Sequence, residues 1–241
     1  GPTKPQVSLS AMLTGDALMY FATSRPLSRG ESVCALNFAN GEHVGGGYMN
    51  GARAQEEELC RQFPSLFTSL NRAKEYGQAY PFGPPTYSQD QQGAHRYSDV
   101  LFTPRIVARR SNQARGYRLL DRDEVAANMS LVSAAAPNLP HGEVYDEELL
   151  MEAVRNVFRV PKLREPKTQV LVLGAWGCGA FGGDPAKMAR LFGKAVEEGL
   201  GNAYREVHFA IPISSADGNN QVFADTLTKR GIALTHIQAT L

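Results

Sequence analysis

Gln55, Glu56 and Glu57 stand side by side, shortly after the glycine triplet Gly45, Gly46 and Gly47, in the stretch "VGGGYMNGARAQEEELC". Three glycines in a row are costly, because glycine loses more backbone entropy on folding than any other residue. Such a loop suits a backbone that must approach a ligand closely. The acids beside it suit proton transfer. A carboxylic acid can protonate a leaving oxygen while a carboxylate stabilises an oxocarbenium-like centre or directs water, which is the chemistry of glycoside cleavage. Partial burial would raise the acid into a useful range. At about 100° per residue, adjacent helical residues point in different directions and do not flank one bond from opposite sides. A division of labour follows: one glutamate holds sugar hydroxyls and the other moves the proton. Acids in a first helical turn are also favoured by the helix dipole alone, as capping charge.

A second glycine loop, "GAWGCGAFGGDP", runs from Gly174 to Pro185 between an apolar run and a helix start. Glycines there let N–H groups turn toward an anion, and the following helix adds positive potential, so a phosphate or diphosphate is its natural occupant. A tight turn without a ligand is the plain alternative. Two such loops at one sheet edge would enclose a crevice. Gly177, Gly179 and Gly182 spell G-x-G-x-x-G, the dinucleotide fingerprint. A dinucleotide oxidoreductase also needs an acid at the end of the next strand. Pro212 stands there and Asp217 comes too late, so that reading falls. No Gly-Lys-Ser/Thr follows, which removes a Walker loop. Cys178 lies between two glycines near the helix start, where a thiolate could be stabilised. A small residue fitting the turn is the reading taken.

The elements that must hold these loops show in the periodicity. "SVCALNFAN" is a buried strand ahead of the first loop. Leu59, Phe63, Leu66 and Leu70 mark one helix face, which Pro64 breaks or kinks. From about Tyr76 to Asp123 the chain is rich in Pro, Gly, Gln, Tyr and Arg, with "SDVLFTPRIVA" a short strand inside a long loop, the kind that serves as a binding lid or stays disordered. "MSLVSAAAPNL" is a strand ending at its proline. "DEELLMEAVRNVFRV" is an amphipathic helix capped by Asp146. "QVLVLGAW" is a continuously apolar strand, covered on both faces. Asp184-Pro185 caps the next helix, and "EVHFAIPI" is another strand. Strands alternating with helices predict an α/β chain with a mainly parallel or mixed sheet between helical layers.

Bulk composition narrows the class. The chain has 241 residues, 43% hydrophobic and 20% charged, with a net charge of +1. That balance argues against a general nucleic-acid binder or a basic membrane-surface protein. No run reaches the roughly 18 apolar residues of a membrane span. Cys34, Cys60 and Cys178 lie far apart, without zinc spacing or an even count for disulfides, which favours a reducing compartment, cytoplasm or nucleus. The five histidines form no close pair, so no metal site is expected. Residues 1–10 read as a polar, disordered N-terminus whose Gly1-Pro2 looks like a protease scar, and residues 11–241 as one domain.

"NFAN", "GGGYMNGARAQEEELC", "SAAAPNL" and "VLVLGAWGCGAFGGDPAKMARLF", in that order, resemble the microbial-type poly(ADP-ribose) glycohydrolases, whose signature is a glycine triplet, a spacer and Gln-Glu-Glu. The likeness runs from about Val33 to Phe223. It implies a three-layer α/β/α macrodomain-like fold with a central mixed sheet, and hydrolysis of the ribose–ribose O-glycosidic bond of poly(ADP-ribose) to release ADP-ribose. Carried onto this chain, Glu57 resembles the catalytic acid and Glu56 the residue that holds hydroxyls of the ribose being cleaved. Gly45, Gly46 and Gly47 resemble the loop around that ribose and the diphosphate, with Gln55 counted among the substrate-binding residues. Gly177, Cys178, Gly179 and Ala180 resemble the diphosphate loop, and Phe181 the aromatic that positions the distal ribose. Asn37 and Asn40 are further candidates for ribose contact. No cofactor, metal, membrane or direct DNA contact is expected, and a monomer is. The partners implied are poly(ADP-ribose) or ADP-ribosylated proteins.

The same pocket and acid would serve a hydrolase of single ADP-ribosyl groups on proteins. A non-catalytic ADP-ribose reader is a third reading, and the intact glutamate pair argues against it. The middle segment looks longer and richer in Gln and Arg than the family pattern, leaving chain-length preference and exo- or endo-cleavage open. Arg105, Arg109, Arg110, Arg115 and Arg118 are read there as solvated surface, with polymer phosphates as the other possible contact.

Overall fold

Uninterrupted apolar runs at 33–36 and 170–173 leave their strands no face for water, so helices must cover both sides. The computed structural model, which describes residues 4–25, 27–88, 94–214 and 216–238, shows that arrangement. Seven strands form one sheet: β1 (Gln6–Ser10), β2 (Ser32–Phe38), β3 (Leu101–Ile106), β4 (Met129–Ala134), β5 (Thr168–Leu173), β6 (Glu206–Ala210) and β7 (Leu234–Ile237). Their order is β3-β4-β2-β5-β6-β1-β7. Every neighbouring pair is parallel except β3 with β4.

The helices divide between the two faces. On one, α1 (Thr14–Thr23), α2 (Gln55–Gln62) and α3 (Ser65–Gly77) pack Phe21, Leu59, Phe63, Leu66 and Leu70 against Val33, Leu131 and Val172. On the other, α4 (Glu147–Arg164), α5 (Pro185–Glu197) and α6 (Asn219–Lys229) bury Val154, Phe158, Phe192 and Phe223 with Leu36, Leu171 and Phe209. The result is the three-layer α/β/α architecture with a mixed central sheet. Pro64 separates α2 from α3. Asp146 and Asp184 cap α4 and α5, each accepting two backbone N–H bonds at 2.8–3.1 Å.

One expectation is corrected. Residues 6–10 are not a disordered tail but strand β1, paired with β6 on one side and β7 on the other. Residues 1–3, and the scar read at Gly1-Pro2, lie outside the described residues. Val7 and Leu9 face one core, and Ser8 and Ser10 the other. The serines read as polar surface in sequence but are buried, because His208 and Glu206 of β6 satisfy them. Ser8 Oγ donates to Glu206 Oε1 at 2.5 Å, and lies 2.8 Å from His208 Nδ1, while Ser10 Oγ lies 2.8 Å from His208 Nε2.

Candidate active site

β2 and β5 are adjacent and parallel, so their C-terminal ends open at the same edge of the sheet. From there the chain leaves β2 toward α2 on one face and leaves β5 toward α5 on the other. That divergence makes a crevice, the usual ligand site in open α/β sheets. The second glycine loop lines it, and the first leads into α2, whose first turn also lines it. The cleft has a volume of about 430 Å³, within the range of small-ligand sites. Phe38 and Ala39 form its floor, α2 one wall, and residues 175–181 the other, with Ile211 and Pro212 beyond β6 closing one end. A second cavity of about 400 Å³ adjoins it across Leu13, lined by Ser10, Asp16, Asn112 and Asn220.

The Gln-Glu-Glu triplet opens α2, and its three side chains do three different things. Gln55 binds the helix start to the end of β2: its Oε1 accepts from Phe38 N at 2.8 Å, and its Nε2 donates to Leu36 O at 2.8 Å and Thr14 Oγ1 at 3.0 Å. Glu56 is 3% exposed and lies under the loop. Its Oε1 accepts from Asn37 Nδ2 at 3.1 Å and its Oε2 from Asn40 N at 2.9 Å. Burial pushes its carboxyl up to about 8; the Asn40 and Asn37 donors pull the other way and the Glu57 charge adds to the rise. Near neutral pH Glu56 is therefore largely a neutral acid. Glu57 is 6% exposed. Its Oε1 accepts from Gly47 N at 2.8 Å and its Oε2 from Ala54 N at 3.1 Å. Each oxygen keeps a second lone-pair direction for a proton or a sugar hydroxyl.

Both acids converge on Gly46. A Cβ there would lie 2.6 Å from Glu57 Oε1 and 3.3 Å from Glu56 Oε2, and the residue has φ of +56°. Glycine is required twice over, for the left-handed backbone and for the space. Gly45 packs beside Phe67 and Cys60 on the helical side. Asn40 spends its side chain on the turn into the loop, its Oδ1 accepting from Glu42 N and His43 N at 2.9 and 2.8 Å. Asn37 donates to Ser133 Oγ as well, and its Oδ1 is buried without a partner.

The second loop is braced from below. Trp176 is fully buried and donates from Nε1 to Ala134 O at 3.1 Å. Internal bonds from Gly182 N to Gly179 O and from Gly183 N to Gly177 O fold it tightly. Among the described residues, the N–H groups of Gly179, Ala180 and Phe181 have no acceptor. They stand at the cleft wall as a ready set of donors for an anion. Crowding does not dictate glycine at 179, since a Cβ there would meet nothing within 4 Å. Cys178 is not exposed for thiolate chemistry. It is partly buried, its Sγ donates to Trp176 O, and burial pushes the thiol up to about 12.

The structure thus brings the sequence candidates to two places. Asn37 and Asn40 bond Glu56, Gly47 bonds Glu57, Gly46 lies against both acids, and Gly45 packs beside them on the helical side. Gln55, Gly177, Gly179, Ala180 and Phe181 line the cleft beside them, and Phe38 with Gln55 joins the two. Sequence reading missed Leu13–Gly15 at the start of α1 and Arg53 and Gln113 at the rim, all lining the cleft. "TGDALMYFA" carried a helix-start signal for the first of these; Gln113 carried none. Among the described residues, no group of three or more His, Cys, Asp or Glu side chains is arranged to hold a metal ion.

Residues 2–111 match the family profile described as Microbial-type PARG, catalytic domain. Among solved structures, the poly(ADP-ribose) glycohydrolase of Deinococcus radiodurans in complex with ADP-ribose is 26% identical with a TM-score of 0.74, over 95% of this chain and 86% of that one. The poly(ADP-ribose) glycohydrolase of Thermomonospora curvata is 27% identical with a TM-score of 0.70, over 95% of this chain and 77% of that one. The form of that enzyme bound to the inhibitor ADP-HPD is 28% identical with a TM-score of 0.69, over 92% and 78%. No curated protein sequence matches the chain.

Proposed function

From the chain's place among the microbial-type poly(ADP-ribose) glycohydrolases, we propose that it hydrolyses the ribose–ribose O-glycosidic bond of poly(ADP-ribose) with Glu57 as general acid. The observation that carries the assignment is the convergence of two differently held carboxyl groups on Gly46, in the same helical turn as Gln55 and Glu58, which line a cleft of about 430 Å³. ADP-ribose fits it by chemistry: unpaired N–H groups at residues 179–181 for the diphosphate, Phe181 against the distal ribose, and the acid pair at the anomeric carbon.

The division of labour follows from the hydrogen bonds. Glu56, tied to Asn37 and Asn40, holds ribose hydroxyls. Glu57, fixed by Gly47 and Ala54, protonates the departing ribose oxygen. The C–O bond breaks toward an oxocarbenium ion, and water then attacks the anomeric carbon with Glu57 accepting its proton. The products are ADP-ribose and a shortened polymer. The chain acts as a monomer with no direct DNA contact in this reading. A hydrolase of single ADP-ribosyl groups would use the same acid, and differs in what the leaving-group side accepts.

The test compares wild type with Glu57→Gln on poly(ADP-ribose) and on a mono-ADP-ribosylated protein, with released ADP-ribose followed by chromatography. The amide cannot donate the proton, so kcat on polymer falls about 10²–10⁴-fold, the usual scale for a general acid, while ADP-ribose still binds. Full activity in the variant rejects the role of Glu57. Turnover of the mono-modified protein alone moves the assignment to the second substrate class.

A further inference from the structure

Resting on the polymer reading above, we infer that the segment between β3 and β4 carries an anion-binding rim for the diphosphate of an ADP-ribose unit outside the cleft. The segment is irregular but firmly seated. Arg109 N and Arg110 N donate to Gln62 O, at the end of α2, at 2.9 and 3.3 Å. Asn112 Nδ2 donates to Asp16 Oδ1, in the first turn of α1, at 2.9 Å. Tyr117 donates from its hydroxyl to Glu58. Arg61 stacks between the rings of Tyr48 and Tyr117, 5.8 and 5.7 Å from their centroids, so the glycine loop and this segment share one guanidinium. Ordering so much irregular chain costs backbone entropy at every residue. A loop that merely connected two strands would not need those anchors.

The anchors set Gln113 at the cleft wall and leave arginines outside it. Arg53 lines the cleft. Arg110 donates from Nη1 to Tyr117 O at 3.0 Å. Arg115, at the end of a single 3-10 turn, lies near enough to Asp16 for its charge to be felt there. Arg53, Arg110 and Arg115 are exposed, and none has a carboxylate partner among the described residues. The nearby acids form no ion pair with them among the described residues. Glu58 is engaged by Arg61 and Tyr117, and Asp16 accepts from Asn112. Arg118, by contrast, is paired with Glu124 at 2.5 Å, and Arg105 lines a cavity with Asn128 and Lys167 at the opposite edge of the sheet. Of the five arginines flagged in the sequence, Arg109, Arg110 and Arg115 therefore remain exposed without an ion pair among the described residues, and Arg53 joins Arg110 and Arg115 on this rim. A chain of net charge +1 that gathers unpaired cations at the mouth of a nucleotide cleft matches a polyanion with two negative charges per unit.

The experiment measures kcat and KM on long poly(ADP-ribose) at low and high salt for wild type and for Arg110→Ala/Arg115→Ala, with ADP-ribose affinity measured alongside. The expected result is a roughly tenfold higher KM at low salt, unchanged kcat and unchanged ADP-ribose affinity. The salt dependence of KM should also be weaker than in wild type, because fewer phosphates are neutralised. Arg110→Lys/Arg115→Lys, which keeps the point charges, restores most of the KM. A wild type that turns polymer over while the alanine variant keeps the wild-type KM overturns this inference alone. An equal loss of ADP-ribose affinity in the variant also overturns it, since the arginines would then serve the cleft itself. A wild type inactive on polymer overturns the function and the inference together.

Discussion

Glu56 and Glu57 are neighbours in one helical turn, and what separates them is which backbone each one meets. Glu56 meets the end of β2 and is held largely neutral. Glu57 meets the glycine loop and accepts from Gly47 N and Ala54 N. Gly46 lies against both. Gly46→Ala adds a Cβ 2.6 Å from Glu57 Oε1 on a backbone with φ of +56°, so the loop or the acid must move. We expect kcat to fall at least tenfold, with a loss of stability of about 1 kcal/mol from the left-handed backbone. Steady-state kinetics and denaturant unfolding check it, and wild-type turnover in Gly46→Ala would show that the loop does not set the acid. At this scale the sequence was largely legible, since glycine triplets and paired acids are costly and draw the eye. Asn40 was less so. Its type suggested a sugar contact, but its side chain is spent on the turn and only its N–H reaches Glu56.

At the scale of elements, the site depends on how α2 is tied to β2. Gln55 makes that tie with three hydrogen bonds to two other elements. Gln55→Ala leaves Phe38 N and the other partners unmet, and should lower the unfolding free energy by about 1–3 kcal/mol. Turnover should drop as the first turn of α2 loosens around Glu57. Equilibrium unfolding with a parallel kinetic assay tests this; an unchanged midpoint and unchanged kcat would mean the tie is redundant. The elements around the second loop could be read from sequence because Asp184-Pro185 is a local signal and β5 is apolar throughout. β1 could not, because a buried serine bonded to a histidine of another strand looks like a solvated serine. The β3–β4 segment was legible only as irregular, since its anchors Gln62, Asp16 and Glu58 come from distant parts of the chain.

At the scale of the molecule, two buried groups set opposite pH trends in stability. Glu56 has its pKa raised from 4.5 to about 8 in the fold. Its contribution is full below about pH 4.5 and is lost as pH rises through about 8. His208, fully buried between Ser8 and Ser10, is pushed down from 6.5 to about 3, by burial first and by Arg25 second. Its contribution is full above about pH 6.5 and is lost as pH falls toward about 3. Relative to wild type, Glu56→Gln should flatten the decline between pH 4.5 and 8, and His208→Gln should flatten the loss below pH 6.5. Thermal unfolding across pH resolves both, and parallel curves for wild type and either variant would remove that group from the account.

The place of β1 in the sheet also bears on how the chain is made. Among the described residues it pairs with β6 and β7 alone, so a strand made ahead of the other six is locked only when residues 206–210 have emerged. Until then Val7 and Leu9 wait with an unpaired strand edge, an exposure of the kind that recruits chaperones and invites mispairing. The pairing is among the most non-local in the fold, and it should make closure of this half of the sheet a late, slow event. A chain interrupted after β5 would contain both glycine loops' parent strands and the acid pair, yet would lack both strands that β1 pairs with among the described residues.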